Sequence, residues 1–266
     1  MDLGLRGKVA LVTGASKGIG RAIALGLAHE GASVAISART QRDLDEAAEA
    51  IRAAGGTALG IRADATSAAD TARLVETTVA QLGGLHVLVN NAGGIGRFAP
   101  FDALEDEDWD ELWALNVLSA VRATRAALPH MRRQRWGRII NLASESGSQP
   151  DAEMAHYNAT KAALINFTKS LSKAYGGEGI LVNTVSPAFI RTPLVEAMLA
   201  EQAAQQGITL AEAERAFLRQ QRPNIVLGRA GTAEETAAAV VFLASEAASF
   251  ITGANYRVDG GSVASV

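Results

Sequence analysis

The sequence predicts an α/β fold built on one doubly wound, seven-stranded parallel sheet with helices on both faces. Three observations carry that prediction. Short apolar, β-branched runs alternate with alanine-rich helical segments along nearly the whole 266 residues. A glycine turn, Thr13-Gly14-Ala15-Ser16-Lys17-Gly18-Ile19-Gly20, joins the first apolar run to the first helical one. No linker, repeat or low-complexity tract divides the chain, so residues 1–266 read as a single domain. Parallel neighbours need a long crossover, and a helix between every two strands supplies it.

The first strand is the apolar run Lys8-Val9-Ala10-Leu11-Val12, which gives 8–13. Similar runs place strands at 33–38, 58–62, 86–90, 138–143, 180–186 and 255–258. Helical periodicity begins with Arg21-Ala22-Ile23-Ala24 and gives a helix near 18–30. Further helices fall near 42–54, 67–82, 106–135, 155–175, 193–206, 210–220 and 233–245. Segment 192–229 breaks the alternation. It is helical and polar, carries no strand, and enters between the sixth and seventh strands. That reads as a lid-like insertion, or as a plain surface excursion. Its polar stretch Glu201-Gln202-Ala203-Ala204-Gln205-Gln206 offers little apolar surface, which predicts cheap opening without ligand and more order with it.

Hydrophobic residues make up 48% and charged residues 20%, as in ordinary soluble domains. A net charge of −3 gives no reason to expect nucleic acid or an anionic membrane. The absence of cysteine excludes disulfides and thiol catalysis and fits a cytoplasmic protein. Met1-Asp2-Leu3-Gly4-Leu5-Arg6-Gly7 lacks the basic and apolar regions of a secretory signal, and no apolar run reaches transmembrane length.

Strand, glycine turn and helix form the context that makes a glycine pattern a phosphate site. The glycines let the backbone approach a pyrophosphate, and the helix N-terminus supplies free N–H groups. Gly14, Ser16, Lys17, Gly18, Ile19 and Gly20 are therefore candidate dinucleotide contacts.

Tyr157 and Lys161 stand four apart, just over one helical turn, so phenol and ammonium share a face. A cation beside a phenol favours the phenolate and predicts a lowered tyrosine pKa. Tyr157 is thus the candidate general acid and base. Ser144 closes the apolar run Arg138-Ile139-Ile140-Asn141-Leu142-Ala143. Its hydroxyl falls at a strand's C-terminal end, where open α/β sheets bind ligands.

With these elements placed, the chain resembles the short-chain dehydrogenase/reductase family over essentially its whole length, in a single-domain Rossmann fold. The carriers are Thr13 to Gly20, Asp64 after the third strand, Asn90-Asn91-Ala92-Gly93 after the fourth, and Ser186-Pro187-Ala188 with Thr192. Asn116, Ser144, Tyr157 and Lys161 match the family's catalytic tetrad. Val258-Asp259-Gly260-Gly261 and Leu227-Gly228-Arg229 look most like the 3-oxoacyl-carrier-protein reductase group.

The resemblance implies hydride transfer between a nicotinamide cofactor and a carbonyl or secondary alcohol. Tyr157 would pass the proton, and Ser144 would hold the substrate oxygen. Lys161 would grip the nicotinamide ribose, and Asn116 would hold a water linking the lysine to solvent. Asp64 with Ala65 would meet adenine; Asn91, Ala92, Gly93, Pro187, Ile190 and Thr192 complete the cofactor set. Phe98, Gln149 and Phe189 join Ser144 and Tyr157 as candidate substrate contacts, with Arg97 or Arg191 available for a free acid. The resemblance also implies a homotetramer, or a dimer, pairing its two longest helices across a dyad. A catalytically weak nucleotide-binding scaffold of the same fold is the alternative class, and the intact tetrad argues against it.

Cofactor choice is read at the end of the second strand. NAD-preferring sites place an acid there, and by register with the family that position is Ala38, followed by Arg39. Arg39 can stack on adenine and bond a 2′-phosphate, and Lys17 adds a second cation. NADP is therefore expected over NAD.

Several features are discounted. His156 diverges from Tyr157 by about 100° and reads as a helix-surface or pocket-rim residue. The four histidines form no metal-ligand spacing, so no metal is expected. Glu105-Asp106-Glu107-Asp108 suits the positive end of a helix dipole. Arg132, Arg133, Arg135 and Arg138 around Trp136 read as a solvated helix end. Phe98, Phe101, Trp109 and Trp113 fit core, subunit contact or pocket wall.

Overall fold

The computed structural model describes residues 2–265. Its first half runs β1 (Val9–Thr13), α1 (Gly18–His29), β2 (Ser33–Ala38), α2 (Gln41–Ala53), β3 (Thr57–Arg62), α3 (Ala68–Leu82) and β4 (Val87–Asn90). Next come α4 (Asp106–Trp113), α5 (Ser119–Gln134), β5 (Gly137–Leu142), α6 (Ala155–Tyr175) and β6 (Ile180–Pro187). The chain ends with β7 (Ile190–Arg191), α7 (Pro193–Gln206), α8 (Leu210–Gln221), β8 (Gly231–Thr232), α9 (Ala233–Ala244) and β9 (Asn255–Val258).

Seven strands form one sheet in the order β3-β2-β1-β4-β5-β6-β9, every neighbouring pair parallel. Successive side chains point to opposite faces, so Leu11 and Ile139 join one core while Val12 and Ile140 join the other. Both faces are covered, which is why the strands read as apolar runs and not as alternating ones. The direction of winding reverses between β1 and β4, and the crevice at their C-terminal ends is where the site forms.

The predicted strands and helices are present, with three differences. The helix expected over 106–135 is interrupted by a π-helical turn, Ala114–Leu118, that contains Asn116. β7 and β8 pair as a two-residue ladder at the base of the insertion, too short to leave a period in sequence. Arg132, Arg133 and Arg135 form the exposed end of α5, as the sequence predicts, but Arg138 does not belong to it. Arg138 lies on β5 and is buried, with its guanidinium 4.2 Å from the Trp136 ring and 3.3 Å from Glu246. The Lys8 ammonium lies 4.1 Å from the same ring, and Trp136 Nε1 donates to Glu246 Oε1 at 2.7 Å. Cation–π contact and ion pairing offset the desolvation of Arg138. The acidic stretch before α4 is a capping box between Glu105 and Asp108.

A buried polar ladder ties the central strands to the helices that carry the site. Asn90 Nδ2 donates to Asn141 Oδ1 at 2.8 Å, and Asn141 Nδ2 donates to Thr168 Oγ1 at 2.8 Å. Thr184 Oγ1 donates to the same Thr168 hydroxyl at 2.7 Å. β4, β5, β6 and α6 are thereby held in one register. Asn141→Ala removes one bond from Asn90 Nδ2, which keeps Thr124 Oγ1 at 3.2 Å, and one from Thr168 Oγ1, which keeps Thr184, and is expected to cost about 1–3 kcal/mol in all. Urea unfolding of the two proteins measures it; a loss below about 0.5 kcal/mol would show the ladder to be energetically idle.

Candidate active site

The glycine turn is shaped by close backbone approach. Gly14 has φ +63°, and a Cβ there would lie 2.9 Å from Ala92 Cα. A Cβ on Gly20 would lie 2.4 Å from Asn91 Nδ2 and 2.6 Å from Gly14 O. Asn91 Nδ2 donates to Thr13 O and Gly14 O, both at 2.9 Å. Thr13 Oγ1 accepts from Asn91 N at 3.1 Å and Ala92 N at 3.0 Å. The Asn91 side chain, a candidate cofactor contact, is thus engaged in bracing the turn. Lys17 occupies the α1 N-cap and makes no side-chain cap, which leaves the first-turn N–H groups to face the crevice. Such a cradle suits a pyrophosphate.

Beside it, Thr13, Ser37, Ala63, Asp64, Ala65 and Leu74 line a small pocket. Asp64 Oδ1 accepts from Thr66 N at 2.9 Å and Thr66 Oγ1 at 2.7 Å, and these bonds hold its carboxyl below the usual range. The Arg39 charge adds to that lowering, so Arg39 and Asp64 flank one end of the crevice. Lys17 Nζ lies 2.7 Å from Asp43 Oδ2, so its charge is already met. At the other end, Pro187 closes β6, and Ile190 and Thr192 open the insertion. Thr192 caps α7, and a Cβ on Gly18 would approach its Cγ2 at 3.4 Å.

Ser144, Tyr157, Lys161 and Asn116 converge where β5 ends. Asn116 donates to Gly94 O and Thr160 Oγ1, each at 3.0 Å, and accepts from Gly94 N at 2.9 Å. The π turn aims it there. Lys161 is buried, and among the described residues its one acceptor is Leu142 O at 2.9 Å. Its remaining donors are available to ligand hydroxyls. A Cβ on Gly93 would lie 3.0 Å from Asn116 Oδ1 and 3.5 Å from Lys161 Nζ, so that cradle also needs a glycine.

The electrostatics differ from the expectation for Tyr157. Burial pushes its phenol above the ordinary value, and only the Ser144 hydroxyl and the Arg222 charge pull it down. Lys161 Nζ lies 5.6 Å from the Tyr157 ring centroid and turns to the Leu142 carbonyl. Burial also lowers the Lys161 pKa to about 8, which weakens the cation that was to act on the phenol.

A sequence profile described as short chain dehydrogenase matches residues 8–203. The chain belongs to the short-chain dehydrogenase family. It is 40% identical over 259 residues to 3-oxoacyl-[acyl-carrier-protein] reductase of Pseudomonas aeruginosa, covering 97% of this chain and 98% of that one. Identity to D-beta-hydroxybutyrate dehydrogenase of Cupriavidus necator is 37% over 261 residues, covering 98% and 99%. The crystal structure of L-sorbose reductase from Gluconobacter frateurii with NADPH and L-sorbose superposes with TM-score 0.95 at 36% identity, covering 100% of both chains. This short-chain dehydrogenase is accordingly an oxidoreductase that uses a nicotinamide cofactor.

Residues around the tetrad depart from several readings. His156 is not on the surface or rim: it is fully buried, edge-on to Trp109 with ring centroids 6.0 Å apart. α6 packs against α4 on that side, so a face adjacent to the catalytic one is also interior. Among the described residues neither ring nitrogen has a partner, and burial lowers its pKa toward the neutral form. Gln149 donates to Ser262 O at 3.2 Å and accepts from Ala264 N at 3.1 Å, which ties its amide to the C-terminal tail. Phe98 is exposed, and Phe189 stacks on Phe217 with centroids 4.6 Å apart. Arg97 pairs with Asp108 and Arg191 with Glu214, so both candidate cations for a free acid already have carboxylate partners. The insertion buries Leu199, Ala203, Ala213 and Leu218 despite its polar sequence. Sequence reading missed Arg222, whose three carboxylate contacts come from residues about seventy positions upstream.

Lys161 has a testable linkage. Its folded pKa of about 8 lies below the ordinary lysine value of 10.5, so burial of the charge destabilises the fold fully below pH 8 and is relieved as pH rises toward 10.5. Lys161→Met is expected to stabilise the protein without ligand at pH 7 by up to about 3 kcal/mol, the gain shrinking by pH 10. Thermal unfolding at both pH values checks this; a gain that does not shrink would contradict the buried charge.

Proposed function

We propose that this chain is an NADP-dependent reductase of a medium-sized organic carbonyl, or dehydrogenase of the matching secondary alcohol, with Tyr157 as its acid and base. The convergence of Ser144, Tyr157 and Lys161 at the end of β5, beside a glycine cradle, carries the reading. When bound, the nicotinamide supplies hydride in reduction and accepts it in oxidation. The Tyr157 phenol, kept protonated by burial, donates to the carbonyl oxygen. The Ser144 hydroxyl donates to the same oxygen and stabilises charge as it develops. Lys161, with donors beyond its Leu142 bond, would hold ribose hydroxyls and steady the phenolate left behind. Asn116 fixes the Gly94 loop against α6 and so sets one wall of the site.

Preference for NADP rests on Ala38 in place of an acid, and on exposed Arg39 beside Asp64. The NADPH in the L-sorbose reductase structure and the NADP in a 3-oxoacyl reductase from Agrobacterium tumefaciens, TM-score 0.88 at 35% identity, support it. Lys17 contributes less than Arg39, because Asp43 already neutralises it. No described helix is long and apolar enough to cross a membrane, and the cysteine-free chain suits the reducing cytoplasm. Assembly as a homotetramer is favoured by exposed aromatic side chains in two regions of the chain. Phe101 and Trp113 lie near α4, and Phe250 and Tyr256 lie at the β9 edge. Two self-complementary interfaces are what dihedral symmetry needs. Light scattering should give the mass of four chains, and a monomer at micromolar concentration would refute this.

Tyr157→Phe keeps the ring and removes the proton donor. It is expected to leave NADPH affinity unchanged and to lower kcat at least about tenfold on a panel of ketones. A smaller loss would rule out Tyr157 as the essential acid. Combining Ala38→Asp with Arg39→Leu should reverse the ratio of kcat/KM for NADPH over NADH. The lost bidentate contact is worth about ten- to a hundredfold, and the new carboxylate repels a 2′-phosphate. A wild-type ratio below one would overturn the NADP assignment.

A further inference from the structure

We propose that Arg222 is a positioning residue for this reaction, clasping the Ser144 loop and the start of the Tyr157 helix into one unit. The proposal rests on the function argued above and assigns a role to a residue outside the tetrad. Arg222 sits at the C-cap of α8, at the end of the helical insertion. Its Nη2 lies 2.9 Å from Asp151 Oδ2 and its Nη1 donates to Asp151 Oδ1 at 3.1 Å. Its Nε lies 3.7 Å from Glu145 Oε1. Glu145 directly follows Ser144. Asp151 O accepts from Asn158 Nδ2 at 2.6 Å, and Asn158 directly follows Tyr157. One guanidinium therefore joins the neighbours of both residues that would hold the substrate oxygen.

The contact is buried enough to act. The Glu145 side chain is 7% exposed and that of Arg222 20%, so solvent screens the pair little. Among the described residues Glu145 Oε2 has no hydrogen-bond partner, and burial holds the Glu145 carboxyl above its ordinary value, with Ser262 and then Arg222 compensating in part. The planar fork matters, because an ammonium cannot meet both Asp151 oxygens while reaching Glu145. The same group shapes the field at the phenol. Tyr157 is faced by Ser144, Glu145 and Asp151 from the loop, by Arg222 from the insertion, and by Lys161 on its own helix. His156, beside it in sequence, turns to Trp109. The two carboxylates disfavour the phenolate and Arg222 favours it, so losing Arg222 leaves the carboxylates unopposed.

The test compares wild type with Arg222→Met, Arg222→Lys and the double variant Glu145→Gln/Arg222→Met. Tyr157 is titrated by tyrosinate absorbance with Tyr157→Phe as the blank, which needs no substrate. NADPH affinity by fluorescence reports an intact fold, and ketone reduction gives kcat. Arg222→Met should keep NADPH affinity within about twofold, lower kcat at least about tenfold, and move the Tyr157 midpoint upward. Arg222→Lys should fall between it and wild type in both. The double variant, freed of the unopposed Glu145 charge, should regain most of the midpoint while kcat stays low. An unmoved midpoint, or kcat within about twofold of wild type at intact NADPH affinity, overturns the proposal. Should Arg222→Met not fold, the double variant decides: wild-type kcat refutes the clasp and a tenfold loss supports it. A wild type that turns over no ketone, while its midpoint still responds to Arg222, sinks the reaction and leaves the clasp standing.

Discussion

Everything in the site depends on how β1 and β4 part company. Their neighbours lie on opposite sides, so the chains leaving them must diverge, yet Gly14 and Ala92 remain close enough that a Cβ would clash. Backbone brought that near needs its polar groups paired. Thr13 and Asn91 do this reciprocally, the threonine hydroxyl accepting two amide protons and the asparagine amide donating to two carbonyls. The crevice is held open and narrow by the same four bonds. α1 is thereby aimed at the crevice, and the loop bearing Gly93 and Gly94 is directed toward Asn116.

The catalytic side uses another kind of constraint. Ser144 stands just past the end of β5 and Tyr157 on α6, and the two elements pack through buried hydroxyls and amides such as Asn141 and Thr168. Polar groups in a core are unforgiving of misplacement, since each must find its partner. That gives a precision apolar packing alone would not supply, and it places a phenol and a lysine in surroundings that oppose charge on both.

Much of this was legible in the sequence because it is local. A strand, a glycine turn and a helix are contiguous, and Tyr157 and Lys161 are one turn apart. What escaped has non-local causes. The burial of His156 follows from α4 lying across α6, and that of Arg138 from a cation–aromatic stack with Glu246 more than a hundred residues away. The neutralisation of Lys17 depends on where α2 begins. Facing of Tyr157 and Lys161 is set by helix geometry, but the protonation state of each is set by desolvation, and burial disfavours the charged form of both.

The π turn at Ala114–Leu118 has a consequence of another order. A π turn accommodates roughly one residue more than an α turn, so it rotates everything after it by about 100° relative to everything before. It acts as a phase shifter. The face α4 turns toward α6 and the face α5 turns toward α3 need not be the same stripe of one amphipathic helix. A single extended helix would have to satisfy both neighbours with one apolar period; the dislocation frees each half to keep its own. Asn116 sits at the fault line because that is where a helix can release a side chain from the lattice of its neighbours and turn it inward.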